Sequence, residues 1–290
     1  MSRKNPAKKK KGKGQSKGKG KQKRRSRRTA KTSDKHELYE LSVQDTEAEC
    51  EFIDQVWKER RRRLARHLRE DFCGTAATSI EWVKRRKDNT AIGVDIDPTV
   101  LKWREARLPD RLDPEQRKRL TLRQGDVRTV RTPRIECVLA MNFSYYLFKT
   151  REALRRYFRH VRSSLVDDGM FVLDAYGGSE SFEELEEDRK VKGFTYVWDQ
   201  HAYNPITGDA LNYIHFRFPD GSQIKKAFEY DWRLWTLPEL QELLTEAGFA
   251  KVTVYWEGTD EETEEGDGEF KPTTEGEACE GWIAYLVAEK

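Results

Sequence analysis

The sequence predicts an α/β fold, a doubly wound and mostly parallel sheet with helices on both faces. Three observations carry this prediction. Strand-like and helix-like segments alternate from Arg66 to Ala175. The segment LREDFCGTA (Leu68 to Ala76) leads from a first strand through a tight turn into a helix. The next strand ends in IGVDIDP (Ile92 to Pro98), on a carboxylate.

The elements follow in order. Thr46 and Glu49 have capping-box spacing, and Phe52, Ile53, Val56, Trp57 and Leu64 recur at helical intervals, so a helix is expected before the first strand. Strands are expected at His67–Glu70, Thr90–Asp95, Leu120–Gln124, Cys137–Met141 and Met170–Ala175. One intervening helix runs from about Thr75 to Arg86, with Ala76, Ile80 and Val83 on one face. Another starts at Pro98, a residue suited to a first helical turn. The clearest spans Arg151 to Leu165, with Leu154, Phe158, Val161 and Leu165 in one stripe. Residues 194–232 break the alternation. Phe194–Tyr203, Ala210–Pro219 and Ser222–Trp232 are rich in aromatic residues and separated by turn sequences, which predicts a three-stranded antiparallel insert acting as a lid. Thr236 and Glu239 then form a second capping box, Leu237, Leu240, Leu243 and Leu244 give an apolar stripe, and Gly248 ends the helix. Lys251–Trp256 and Trp282–Ala288 are the last strands, a C-terminal antiparallel hairpin, with the acidic stretch 257–269 between them read as a loop.

Charge divides the chain. Residues 1–35 hold 17 Lys or Arg against one acid, Asp34, a net of +16, whereas the remainder nets −12. Such a tail buries too little apolar surface to offset its ordering entropy, so residues 1–35 are expected to be disordered and residues 36–290 to form the domain. The tail suits nonspecific contact with RNA or another polyanion; lacking aromatic residues, it would bind without regard to sequence. No apolar run is long enough for a membrane span or a secretory signal. The four cysteines form no CxxC pair, which argues against a disulfide framework or zinc knuckle and for a reducing, cytoplasmic setting. The five histidines show no ligand spacing, so no metal is expected; HExxH, a nucleophile elbow and a P-loop are absent.

Gly74 lies between a strand and a helix, where the backbone can approach a ligand and free N–H groups favour anionic oxygens. Asp95, 21 residues on, ends the next strand, a place from which a carboxylate accepts hydrogen bonds from ribose hydroxyls. Together they predict an adenosine-containing cofactor. A dinucleotide site wants GxGxxG, and the chain offers FCGTAA.

From about Tyr39 onward the chain resembles the class I S-adenosylmethionine-dependent methyltransferases, and more closely a group of bacterial methyltransferase-like proteins sharing the YELSVQ, REDFCGTA and NFSYYLFKTR segments. The resemblance implies a Rossmann-like sheet and S-adenosylmethionine as cofactor. It implies that Glu70 is the acid ending the first strand and Gly74 the middle glycine of the turn. Asp95, with Ile96 beside it, becomes the ribose-binding position. Asp126 becomes the acceptor for the adenine amino group, with a backbone N–H from Val127. Asn142 falls at the end of the fourth strand, facing the methyl donor. Phe72 and Ala76 depart from the pattern, standing where the outer two glycines belong. The polar first strand also departs; Arg69 is placed either in the site, on the methionyl carboxylate, or in a structural ion pair. Tyr39 and Gln44 are placed over the cofactor.

Methyl transfer is chiefly a matter of alignment and water exclusion, to which orientation contributes roughly 7–11 kcal/mol. Asn142, Tyr145 and Tyr146 are candidates to orient the acceptor, although NFSYY lacks the prolines of the [DN]PP[YF] motif of amine methylation in nucleic acids. His201 and His215 of the insert are candidate bases. The expected acceptor is a small molecule, methylated on O or N. The alternatives are an RNA- or ribosome-directed enzyme anchored by the tail, and an inactive cofactor-binding module.

Overall fold

The computed structural model describes residues 28–259 and 266–290. Helices α1 (Lys35–Ser42) and α2 (Thr46–Arg61) precede strand β1 (His67–Asp71). Helix α3 (Ala77–Arg85), strand β2 (Thr90–Asp95), helix α4 (Pro98–Glu105) and two single-turn helices, α5 (Leu108–Arg111) and α6 (Pro114–Arg117), lead to β3 (Leu120–Gln124) and β4 (Ile135–Ala140). Helix α7 (Arg151–Ser164) runs directly into β5 (Leu165–Gly177). A separate sheet follows, β6 (Leu185–Val191), β7 (Phe194–Asn204), β8 (Asp209–Arg217) and β9 (Gln223–Arg233). Helix α8 (Leu237–Glu246) and strands β10 (Lys251–Thr259), β11 (Gly266–Thr273) and β12 (Trp282–Glu289) complete the chain.

The main sheet has the order β11-β10-β12-β5-β4-β1-β2-β3. Strands β1 to β5 are parallel, and β12 returns antiparallel between β5 and β10. Strand order reverses at β1 and β4, which opens a crevice beyond their carboxyl ends. One face buries Ile53, Val56 and Trp57 of α2 against Ile80, Trp82 and Val83 of α3. The other buries Leu154, Phe158 and Val161 of α7 with Leu240, Leu243 and Leu244 of α8. Each fully buried large apolar side chain contributes roughly 1.5–3 kcal/mol. This is the expected doubly wound sheet.

Several local features differ from expectation. Asp45, not Thr46, caps α2, accepting from the Ala48 N–H at 3.1 Å. Glu49 does not reach back to close a capping box; it is buried and accepts from Thr78 Oγ1 at 2.5 Å. The antiparallel sheet has a fourth strand, β6, whose sequence LEEDRKV carries charge where strand signals are sought. Charged side chains suit an edge strand because they discourage further pairing. The acidic stretch 257–269 is not one loop either, since β11 begins at Gly266 and pairs with β10; residues 260–265 lie outside the described residues.

Of the basic stretch 1–35, residues 1–27 lie outside the described residues. Ala30 packs with α1 on the antiparallel sheet, where Leu38 meets Phe194, Ile214 and Phe216. The Asp34 carboxylate caps α1 at the His36 N–H (2.9 Å) and accepts from Trp103 Nε1 of α4 (2.6 Å). Arg104 of α4 pairs with Glu40 of α1 and donates to the Thr75 carbonyl. Helix α1 is thereby fixed to both sheets.

Candidate active site

A cavity of about 400 Å³ occupies the crevice beyond β1 and β4. Its floor is the turn after β1. Phe72, Gly74 and Ala76 all adopt left-handed backbone, with φ of 56°, 49° and 53°. The two residues in the outer glycine positions therefore keep a conformation that glycine adopts freely, at roughly 1–2 kcal/mol each. Packing holds them there: the Phe72 ring lies 5.5 Å from Tyr157 and 5.9 Å from Phe148, and Ala76 is fully buried. A Cβ on Gly74 would meet nothing within 4 Å, so the space above the turn is open.

Asp95 reaches this turn from the end of β2. Its carboxylate accepts from the Gly74 N–H at 2.7 Å and the Asp97 N–H at 2.9 Å, one bond to each oxygen. A carboxylate offers about four acceptor positions, so each oxygen keeps capacity for a ligand hydroxyl. Burial raises its pKa. Glu70, on the same face of β1 as Leu68, accepts from the Ser79 N–H of α3 at 2.8 Å, and burial pushes its pKa up to about 7. It secures the start of α3, which carries no side-chain cap at Ala76. The roof is Lys35, His36 and Tyr39 of α1 with Phe228 and Tyr230 of β9; the Tyr39 and Phe228 rings are 4.9 Å apart.

The far wall is the turn after β4. Asn142 and Phe143 have φ of 58° and 55°, two successive left-handed residues. Asp174 of β5 holds both: its carboxylate accepts from the Asn142 N–H at 2.6 Å and the Phe143 N–H at 2.9 Å. Burial pushes the Asp174 pKa up to about 7.

The structure thus brings Tyr39, Gln44, Glu70, Gly74, Asp95 and Asn142 to one cavity. Other expected site residues stand elsewhere. Arg69 is fully buried on the opposite face of β1, in an ion pair with Asp71 (2.8 Å) and bonded to Ser164 of α7 (2.9 Å), so it does not reach a cofactor carboxylate. Asp126 does not line the cavity, because Arg128 clasps its carboxylate at 2.6 Å and lowers its pKa. Ile96 turns outward, 67% exposed, and Val127, expected to offer only its backbone N–H, packs its side chain into the core. Tyr145 and Tyr146 are buried beneath the site, donating to the carbonyls of Asp174 (2.6 Å) and Trp235 (3.3 Å), and do not face an acceptor.

His201 and His215 lie on the outer face of the antiparallel sheet, alternate to the face on which Ile214 and Phe216 meet α1. His215 Nδ1 accepts from the Lys226 N–H (2.7 Å), leaving Nε2 to donate to Asp199 (3.1 Å). With Glu186 these groups form a compact cluster, yet Nε2 has no lone pair to offer a metal, and Arg217 already pairs with Glu186. Asp174, Lys35 and His36 had no recognisable signal in the sequence, because partners far along the chain define their roles, whereas the aromatic-rich segment 222–232, read as part of the lid, supplies Phe228 and Tyr230.

The chain matches no protein-family model and no curated protein. Solved structures are similar throughout the domain. An S-adenosylmethionine-dependent methyltransferase from Clostridium acetobutylicum has 15% identity and a TM-score of 0.63, covering 87% of this chain and 96% of its own. DesVI of Streptomyces venezuelae has 21% identity and a TM-score of 0.62, covering 87% and 95%. CalS10, an amino pentose methyltransferase of Micromonospora echinaspora solved with S-adenosylmethionine bound, has 17% identity and a TM-score of 0.61, covering 88% and 95%. The chain has the Rossmann-like fold of the class I S-adenosylmethionine-dependent methyltransferases.

Proposed function

We propose that the cavity beneath α1 binds S-adenosylmethionine and that the protein methylates an oxygen or nitrogen of a small-molecule acceptor. One observation carries this reading: the Asp95 carboxylate and the Gly74 backbone meet at 2.7 Å in a cavity at the strand-order reversal, facing Asn142. The open space above Gly74 and the free acceptor capacity of Asp95 fit an adenosine ribose. Acidic Asp95, Asp97 and Glu229 around the cavity outnumber Lys35 and His36, which suits a cationic ligand, while Asp71 is neutralised by Arg69. Bound there, S-adenosylmethionine would supply an electrophilic methyl group for in-line displacement. The protein would orient the donor with Asp95 and the 72–76 turn, place Asn142 beside the transfer point, and exclude water with the antiparallel sheet of residues 194–232 and its β6 edge as a lid.

A closed site of this kind favours small acceptors. Solved neighbours include amino pentose and sugar N-methyltransferases, which supports that choice. The tail-anchored alternative rests on the basic stretch 1–35, of which residues 1–27 lie outside the described residues. Incubation of the full chain with methyl-labelled S-adenosylmethionine and a panel of small amines and alcohols, with RNA as a separate arm, tests the reading. Label transfer to a small acceptor, with S-adenosylhomocysteine formed in equal amount, is expected. Transfer to RNA alone, or no affinity for the cofactor, would overturn it.

A further inference from the structure

A second cavity, of about 440 Å³, lies on the other side of the Asn142–Phe143 pair, between the antiparallel sheet and the ends of β5 and β12. Asn142 faces the first cavity and Phe143 the second, so two consecutive residues separate them. The walls are aromatic: Phe143, Tyr176, Tyr196, Trp198 and Trp282. The Phe143 and Tyr176 rings are 4.7 Å apart. Gly177 makes the Trp282 wall possible, since a Cβ there would fall 2.2 Å from the indole.

Four acidic residues, Glu180, Glu187, Glu257 and Glu280, line this space, and the Glu257 carboxylate accepts from the Gly268 N–H of β11 at 3.3 Å. Among the described residues none of them pairs with a Lys, Arg or His, although ion pairs are common elsewhere on the surface. Strand β6 shows the contrast within three residues. Glu186 and Asp188 point outward and both pair with Arg217, whereas Glu187 between them points to the cavity and stays unpaired. Aromatic walls attract a cation through the ring quadrupole, and unpaired carboxylates add a longer-ranged, salt-sensitive attraction. A neutral group of the same shape gains only contact area, and an anion is repelled.

We infer that the second cavity binds a positively charged ammonium group of the acceptor molecule. This rests on the reading of the first cavity as the methyl-donor site. The ammonium is held among Trp198, Trp282 and Tyr176 beside Glu187, and the acceptor reaches past Phe143 toward Asn142.

Choline and its uncharged carbon isostere 3,3-dimethylbutan-1-ol test the inference on the full chain, with tryptophan fluorescence and calorimetry as readouts. Choline is expected to bind at least about tenfold more tightly than the alcohol, less tightly in high salt. Glu187→Gln, an exposed substitution, should weaken choline about threefold or more and leave S-adenosylhomocysteine affinity unchanged. No saturable choline binding, equal affinity for the two probes, or indifference to Glu187→Gln would overturn the inference. If S-adenosylhomocysteine binds while choline shows no preference, this inference alone fails; if S-adenosylhomocysteine does not bind, the donor-site reading fails with it.

Discussion

The backbone N–H of Asn142 donates to the carboxylate of Asp174 across 2.6 Å, and the same carboxylate takes the Phe143 N–H at 2.9 Å. One acid of β5 thus maintains the left-handed pair that divides the two cavities.

Removing that acid should loosen the divide. Asp174→Ala leaves two part-buried donors without their partner, at up to about 1–3 kcal/mol each. A shift of about 1 Å at the transfer point costs about 10²-fold in rate. Methyl transfer by Asp174→Ala is therefore expected to fall far more than affinity for S-adenosylhomocysteine. Steady-state kinetics and calorimetry on the same preparation check this; equal losses in both would contradict it.

Arg69 should behave as a structural residue. Arg69→Met strands Asp71 as a buried charge and should cost about 3–5 kcal/mol in urea unfolding, while Arg69→Met with Asp71→Leu should recover much of the loss. A loss of cofactor affinity at unchanged stability would instead place Arg69 in the site.

His201 and His215 face away from both cavities. His201→Ala and His215→Ala are expected to leave turnover within about twofold and the pH–rate profile unmoved, since neither contributes a base. A profile that loses a limb in either variant would restore that histidine to the chemistry.

Stability should fall as pH rises toward neutrality. Burial raises the pKa of Glu49 to about 8 and those of Glu70 and Asp174 to about 7. Unfolded carboxyls titrate near pH 4, so between about pH 4 and 8 the folded chain holds more protons, and stability drops with increasing pH by up to about 1.4 kcal/mol per unit per group. Urea midpoints at pH 5, 6, 7 and 8 measure the slope, and Glu49→Gln should flatten it.

The sheet was legible in the sequence because its strands and helices carry their own periodicity. Thr90–Asp95 and Leu120–Gln124 have the expected limits, and Thr236 with Glu239 forms the expected capping box. Strands β6 and β11 were not legible, since charged or glycine-containing edge strands lack apolar alternation. In the site, Gly74 and Asp95 were readable from position alone. Asp126 was not, because its carboxylate is taken by Arg128 two residues on. Nor was the role of Arg69 decided, because period-two alternation places it and Asp71 together on the α7 side of β1, where Tyr157 and Ser164 complete the network. Asp174 escaped notice because its ligands are backbone N–H groups from another strand's end.

The adenosine-binding role proposed for Asp95 is tested most directly by calorimetric titration of S-adenosylhomocysteine into the wild-type chain, Asp95→Ala and Asp126→Ala. Loss of two charge-assisted hydrogen bonds, at about 1.5–3 kcal/mol each, predicts at least a hundredfold weaker binding for Asp95→Ala. Asp126→Ala should lose far less, since that carboxylate is held by Arg128. Undiminished affinity in Asp95→Ala, or a larger loss in Asp126→Ala, would contradict the account.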